Sequence, residues 1–449
     1  MDRAKSSRGG YALKRRVVIT GIGAVSPLGH DRESTWANVC AGRSGAGPIS
    51  HFDASTWPVR FACEVKGFAL SPDTFAFGHE KYLNRPSEFG LAAAFEAFDD
   101  SGLLRDGLVD CDPWELGVSV GVGIGAVSPK ELASMLRTLT DSGNFADLGK
   151  VVQEQTESRI FLRNHPGTLA YLLASRWNAR GPVTTIHTAC ASSGQSVGQA
   201  LLQIQRGEAD VILAGGADSL AGELLLAGFC LLGALSRRND DPQRASRPFD
   251  RDRDGFVASE GAAMLVLEER ERALARGAKI YAELAGFGET ESAFRITDLP
   301  PDGRGTVEAM QNAIAMAGLT PDDVGYINAH GTSTELNDRI ECLAVQRVFG
   351  ENRRNLCVSS TKSSTGHLIS SSGALELMFC ALALRDQVVP PTINLENPIP
   401  GYAFDFVPGK ARPLPLKAAL SNSIGFGGSN SALLVTSHPE ASRPAGGLS

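Results

Sequence analysis

Apolar positions along the chain follow two alternating rhythms. Near-continuous apolar or β-branched runs predict strands: RRVVITGIGAV (15–25), ELGVSVGVGIG (115–125), ADVILAGGA (209–217), GAAMLVLEE (261–269), YAELAGFG (281–288), VGYINAHG (324–331), NLCVSST (355–361) and NSALLVTS (430–437). Between them, apolar residues recur at helical spacing in ESTWANVCAG, PSEFGLAAAFEAFDDSG, QSVGQALLQIQRG, TVEAMQNAIAMAG, DRIECLAVQRVFG and SGALELMFCALAL. Strands buried on both faces and separated by helices predict α/β layering. The pattern also repeats. A strand running into a Ser/Thr turn and a Gly-containing helix occurs at VTTIHTACASSGQSVG and again at CVSSTKSSTGHLISSSGALEL. Glycine-marked strands, VVITGIG and YAELAGFG, open the two halves, so the expected fold is a duplicated α/β unit.

Cys190 sits at the joint between the strand PVTTIHT and a helix carrying Val197, Ala200, Leu201 and Ile204 on one face. Unpaired amides and the helix dipole at such a joint predict a thiol pKa below its usual value of about 8.5. The same N–H groups could receive an oxyanion. Ala189, Ala191, Ser192, Ser193 and Gly194 leave room for a bulky group to approach the sulfur. From these residues alone, a buried spacer, a metal ligand and a nucleophile all stay open.

Three remote stretches offer partners. His330 follows the strand VGYINA in AHGTSTELND, where Asp338 and Glu341 resemble a capping box and Thr332 and Thr334 fall in the loop before the helix. Lys362 and His367 lie five residues apart in STKSSTGHL, and a lysine in a Ser/Thr turn after a β-branched strand is an unusual core residue. Its charge would hold a nearby imidazole neutral, and Glu376, nine residues beyond His367, could compensate it. In SNSIGFGGSNSALLV, Gly425, Gly427 and Gly428 flank Phe426, either as a plain hairpin or as an amide and flap close to a ligand.

Composition narrows the classes. The 449 residues are 43% hydrophobic and 21% charged without a linker-like tract, which predicts one large globular unit. A net charge of −7 argues against nucleic acid as the main partner. No apolar run reaches the roughly 18 residues of a membrane span, and MDRAKSSRGGYALKRR has no apolar signal core. Eight cysteines without a CxxC pair fit reduced thiols of a cytoplasmic enzyme. A Cys/His/His metal site lacks CxxC or HxxxH spacing, and Lys362 would oppose a cation, so no metal is expected. TGIGAVS is a GxGxxS, a weak match to a dinucleotide fingerprint.

In this order, RRVVITGIGAVSPLG, TACASS, RPFDRDRDGFVASEGAAMLVLEE, INAHGTST, SSTKSSTGHL, LRDQVVPPTINLENP and NSIGFGGSN resemble the β-ketoacyl-[acyl-carrier-protein] synthases of the branch that elongates longer chains, from Arg16 to Ser437. The resemblance implies a thiolase-like fold: two pseudo-symmetric α/β halves in five layers (α-β-α-β-α). It places an N-terminal half at 16–275 and a C-terminal half at 276–437, flanked by a basic extension (1–15) and a tail (438–449). It implies that Cys190 carries the acyl group as a thioester and that His330 and His367 promote decarboxylation of malonyl-carrier protein. Lys362 and Glu376 would tune them, and the backbone N–H groups of Cys190 and Phe426 would form the oxyanion hole. Thr332 and Thr334 would contact the phosphopantetheine arm, which arrives as a substrate carrier with no separate cofactor. Ile124 and Phe229 would line the acyl pocket, with Phe426 as its gate. The implied partners are an acyl-carrier protein and a second copy in a homodimer, or a chain-length factor in a heterodimer. A chain-length-factor-like role and a non-condensing acyltransferase are the alternatives.

The chain departs from the family pattern in places. ACASSG leans toward the ACSSS of modular polyketide synthases, Phe294 and Arg295 stand where a Tyr-His pair is common, and Gly233 replaces a frequent arginine. FAFGHEKYLNRPSEF keeps Lys81 and Arg85 but is less basic than the usual carrier-docking region. These departures bear on the acyl chain and the carrier, and leave open whether the pathway is fatty-acid or specialised polyketide or polyene synthesis.

Overall fold

The computed structural model describes residues 15–76, 78–125, 143–155 and 159–438, with positions 129, 133, 137, 140 and 141 between them. Positions 1–14 and 439–449, most of the two expected extensions, lie outside the described residues.

Ten strands form one hydrogen-bonded sheet: β1 (Val17–Val25), β2 (Leu116–Val122), β3 (Val183–Ile186), β4 (Val211–Ser219), β5 (Glu260–Glu269), β6 (Ala282–Glu291), β7 (Tyr326–Asn328), β8 (Cys357–Ser359), β9 (Ala418–Ile424) and β10 (Ser429–Thr436). Their order is β8-β7-β9-β10-β6-β1-β5-β4-β2-β3. The seam between β6 and β1 holds only two register pairs, Val18↔Glu283 and Ile19↔Ala282. On either side of it the topology is the same. From β1 outward through β5, β4, β2 and β3, the pairings run antiparallel, antiparallel, parallel, parallel. From β6 outward through β10, β9, β7 and β8 they run identically. Both halves even carry a bulge at the same place, between Ile19 and Gly21 and between Leu284 and Gly286.

Seven helices matter here: α1 (Arg85–Asp100), α2 (Thr168–Arg176), α3 (Ser192–Gln205), α4 (Glu223–Leu231), α5 (Arg304–Met316), α6 (Glu335–Phe349) and α7 (Ser372–Asp386). α1 covers the outer face of β1 and β5, and α5 covers β6 and β10. α3 and α7 pack on each other and touch strands of both halves, forming the middle of five layers. α7 is buried from Ser372 to Leu384, as expected of a helix apolar on all sides.

The GIG and GFG segments explain how closely the outer helices sit. A Cβ on Gly21 would meet the Ala97 carbonyl oxygen at 2.0 Å, and one on Gly286 would meet that of Ala313 at the same distance. Glycine here lets a helix backbone touch a strand. TGIGAVS is therefore a packing device on a fully buried strand rather than a phosphate cradle.

Candidate active site

Apart from Glu376 on α7, the functional residues follow the C-terminal ends of strands in one or other of the two halves. After β3 the chain enters a short turn, Ala189–Ala191, and then α3. Ala189 adopts φ 49°, a left-handed conformation uncommon outside glycine, which turns Cys190 inward. The Thr188 N–H donates to Ser192 Oγ at 2.9 Å and pins that elbow. β7 ends just before His330, β8 just before Lys362, and β9 just before the Gly425–Gly428 turn into β10.

These ends converge. His367 Nε2 is 3.2 Å from Cys190 Sγ. The His330 and His367 rings meet edge to face, with centroids 5.2 Å apart. The backbone N–H of Phe426 faces the sulfur closely enough to favour its thiolate. Lys362 Nζ forms a short ion pair with Glu376, both buried. A cavity opens onto this group, lined by Cys190, His330, His367, Thr332, Thr334 and Phe426 together with Phe256, Ile296, Leu299 and Ile424. Thr332 and Thr334 join their hydroxyls at 2.9 Å on its wall.

Electrostatics sets the protonation states. Burial pushes both imidazoles well below the usual histidine range, and the nearby Lys362 ammonium pushes them further. Both rings are neutral. His367 Nδ1 accepts the Ile369 N–H at 3.3 Å and lies 3.0 Å from Ser372 Oγ. A ring nitrogen that accepts a backbone N–H carries no proton, so the proton of neutral His367 sits on Nε2 and points at the sulfur. Burial pushes the Cys190 thiol up to about 12, although Lys362 and the Phe426 N–H oppose it. This reverses the expectation of a depressed pKa at the helix joint: desolvation outweighs the local dipoles, and the resting group is a thiol. Burial also raises the Glu376 carboxyl, which Lys362 pulls back.

Other expectations change too. Asp338 and Glu341 are no capping box, because α6 starts at Glu335 with Thr334 as its N-cap. Glu341, wholly buried, instead accepts the N–H groups of His330 and Gly331 at 2.8 Å each and fixes the histidine loop. Asp338 accepts the Ser333 and Phe249 N–H groups. Ile124 does not reach the cavity: it is 67% exposed and borders a separate cleft with Asp218 and Asn164. Phe229 stands behind the site, edge to face with Phe256, which in turn packs against His367. Arg85 is not free for docking, since it is paired with buried Glu260. The donor atoms of Cys190, His330 and His367 lie within 4.8 Å of one another, although their sequence spacing argued against a metal site. They are the one such group among the described residues able to hold a soft divalent ion, with the Lys362 ammonium opposing it. No helix among the described residues is long and apolar enough to cross a membrane.

Comparison with known proteins agrees with the geometry. The family models "Beta-ketoacyl synthase, N-terminal domain" and "Beta-ketoacyl synthase, C-terminal domain" match residues 14–273 and 281–396. A 3-oxoacyl-[acyl-carrier-protein] synthase 2 from Synechocystis is 43% identical over 93% of this chain and 97% of its own length. That of Vibrio cholerae is 41% identical over 94% and 99%. Among solved structures, a β-ketoacyl synthase from Burkholderia phymatum superposes with TM-score 0.84 at 34% identity, covering 94% of this chain and all of that one. The ishigamide ketosynthase/chain length factor gives 0.84 at 33% identity over 95% and 100%. With two family models spanning both halves and relatives matched nearly end to end, the chain belongs to the β-ketoacyl synthases.

Proposed function

We infer that the protein catalyses a decarboxylative Claisen condensation, joining an acyl group held on Cys190 to malonyl-[acyl-carrier protein] to give 3-oxoacyl-[acyl-carrier protein]. The observation that carries this reading is a sulfur 3.2 Å from His367 Nε2, inside a cavity where two neutral imidazoles meet. A thiol accepts an acyl group and later leaves readily, and neutral N–H donors can stabilise an enolate without being acidic enough to protonate it outright.

The Cys190 sulfur attacks the carrier thioester, and the carrier departs as its free thiol, taking the Cys190 proton. Malonyl-carrier protein then enters along the Thr332–Thr334 wall, with its pantetheine arm as the only prosthetic group involved. His330 and His367 receive the thioester oxygen, loss of carbon dioxide leaves the electron pair as an enolate, and its carbon attacks the acyl-cysteine. The oxyanion formed there takes the N–H groups of Cys190 and Phe426. Collapse expels the Cys190 thiolate, which regains a proton, and the chain leaves two carbons longer.

A second copy of the chain is the proposed structural partner. β3 is the outermost strand of its half, with Val183 47% exposed, and Ile124, Phe161 and Leu162 are exposed large hydrophobics at 67%, 60% and 52%. Such an edge and such side chains favour closure by another subunit. The presence of Cys190, His330, Lys362 and His367 together favours a catalytic subunit over a chain-length-factor-like partner. Incubation with acyl- and malonyl-carrier proteins, followed by mass spectrometry, tests the chemistry. Acyl mass on Cys190, carbon dioxide release and a product two carbons longer are expected, and a Cys190 that no carrier-bound acyl group modifies would sink the reading. Light scattering of the eluting protein tests the dimer.

A further inference from the structure

The elbow that presents Cys190 has a copy in the second half, shifted by 180 positions: His187-Thr188-Ala189-Cys190-Ala191-Ser192 corresponds to His367-Leu368-Ile369-Ser370-Ser371-Ser372. Both contain a three-residue turn leading into a central helix, α3 in one and α7 in the other. Ala189 and Ile369 share the left-handed conformation, φ 49° and 46°. The Leu368 N–H donates to Ser372 Oγ at 3.1 Å, as Thr188 does to Ser192. Ser370 therefore stands where Cys190 stands.

The two elbows differ in what faces them. Cys190 opens onto the cavity. Ser370 is fully buried, and a single oxygen takes both of its donors: Asp218 Oδ2 accepts the Ser370 N–H at 3.1 Å and its hydroxyl at 2.6 Å. Asp218 comes from the end of β4 in the other half, 3% exposed, and its Oδ1 accepts the Ser219 N–H at 2.8 Å. An internal carboxylate thus fills the position at which the first elbow would meet a reacting oxygen. The filled elbow is also the one that holds His367. Ile369, whose N–H fixes His367 Nδ1 as an acceptor, directly precedes Ser370, and Ser372 follows two residues later.

We propose that Asp218 is a positioning residue for the condensation: by clamping the Ile369–Ser371 turn, it keeps the proton of His367 on Nε2 and that nitrogen against Cys190. The proposal rests on His367 taking part in the reaction. Asp218→Asn keeps the shape but offers only one accepting oxygen, so the Ser370 N–H, its hydroxyl and the Ser219 N–H cannot all be satisfied. Two readouts apply to the full-length protein. In ¹⁵N-histidine-labelled wild type, the His367 ring shows the Nε2–H tautomer, and Asp218→Asn mixes in the other. Decarboxylation of malonyl-carrier protein, counted per acylatable Cys190, falls between about 10- and 100-fold, the scale for a misplaced reacting group, with little change in KM. Ser370→Ala removes the hydroxyl bond alone and moves both readouts less, in the same direction.

A variant that melts earlier but keeps the wild-type tautomer and the wild-type rate per acylatable site overturns the proposal and leaves Asp218 a purely structural residue. Should Asp218→Asn fail to fold, Ser370→Ala decides: a shifted tautomer population supports the clamp, and an unchanged one overturns it. The tautomer measurement needs no turnover. A wild type that never condenses would refute the proposed reaction and still leave the clamp to be judged by the spectrum.

Discussion

Lys362 and Glu376 form an ion pair that water barely reaches, their side chains 1% and 3% exposed, between α7 and the turn after β8. A buried pair adds little net stability, yet removing one partner strands the other charge. Glu376→Leu or Lys362→Met should each lose about 3–5 kcal/mol of unfolding free energy, and the double substitution should lose clearly less than the sum. Urea unfolding of the three variants measures it. Additive losses would mean that the pair is not energetically coupled.

The raised thiol gives Cys190 an unusual alkylation profile. With its pKa pushed up to about 12, the thiolate fraction grows steadily through neutral pH. Iodoacetamide modification should therefore quicken about tenfold per pH unit from roughly pH 6 to 10, with no plateau near the ordinary cysteine value of about 8.5. Lys362 is the largest influence lowering the thiol pKa, so Lys362→Met should slow modification at every pH. Peptide mass spectrometry separates Cys190 from the other seven cysteines. A levelling near pH 8.5 would contradict the burial argument.

How much of this was legible in the sequence depends on how local the signal was. The eight strands and six helices read from periodicity all appear, and the duplication visible in two Ser/Thr turns is the real symmetry of the sheet. β9 was missed because AALSNSI alternates small and polar residues, and its burial comes from the strands on either side. Cys190, His330, Lys362 and His367 stood out because each follows a strand, where side chains of different elements meet. Burial was not legible: a helix joint predicts a low thiol pKa, but only the packed fold reveals the desolvation that reverses it. Glu341 was misread because Asp and Glu three apart mimic a cap, while the helix had already begun at Glu335. Asp218 gave no signal, since its partner Ser370 lies 152 positions away.

The neutral histidines tie stability to pH. Their folded pKa values lie below the unfolded value of about 6.5, so as pH drops through that value the unfolded chain takes up protons that the folded one refuses. Stability should therefore rise with pH on account of these groups, by about 1.4 kcal/mol per pH unit for each histidine below roughly pH 6. Buried carboxyls with raised pKa values, Glu376, Glu341 and Asp338, contribute the opposite slope, and Glu376, raised to about 7, does so within the same pH range, so the comparison is made by difference. Between about pH 5 and 6, His330→Asn should flatten the unfolding free energy against pH by one histidine's share. An unchanged slope would mean that His330 is protonated in the folded protein.

The amide of Phe426 and its ring make separable contributions, and Gly425 distinguishes them. A Cβ on Gly425 would lie 2.8 Å from the Thr188 carbonyl oxygen and 3.3 Å from the Ala191 nitrogen, both backbone atoms of the Cys190 elbow. The turn cannot simply swing away, because the Gly425 N–H donates to Ser429 O at 2.7 Å and its carbonyl accepts the Gly428 N–H. Gly425→Ala must therefore displace the next amide, the Phe426 N–H that faces the sulfur. Loss of one oxyanion donor is worth about 10²–10³ in turnover, so condensation should fall by that factor while carrier KM stays nearly constant. Phe426→Ala keeps the amide and removes only a ring that is 37% exposed at the cavity mouth. It should retain most of the turnover and change chiefly which acyl chains are accepted. Steady-state kinetics on both variants decide it, since equal losses of turnover would place the contribution in the ring rather than the amide.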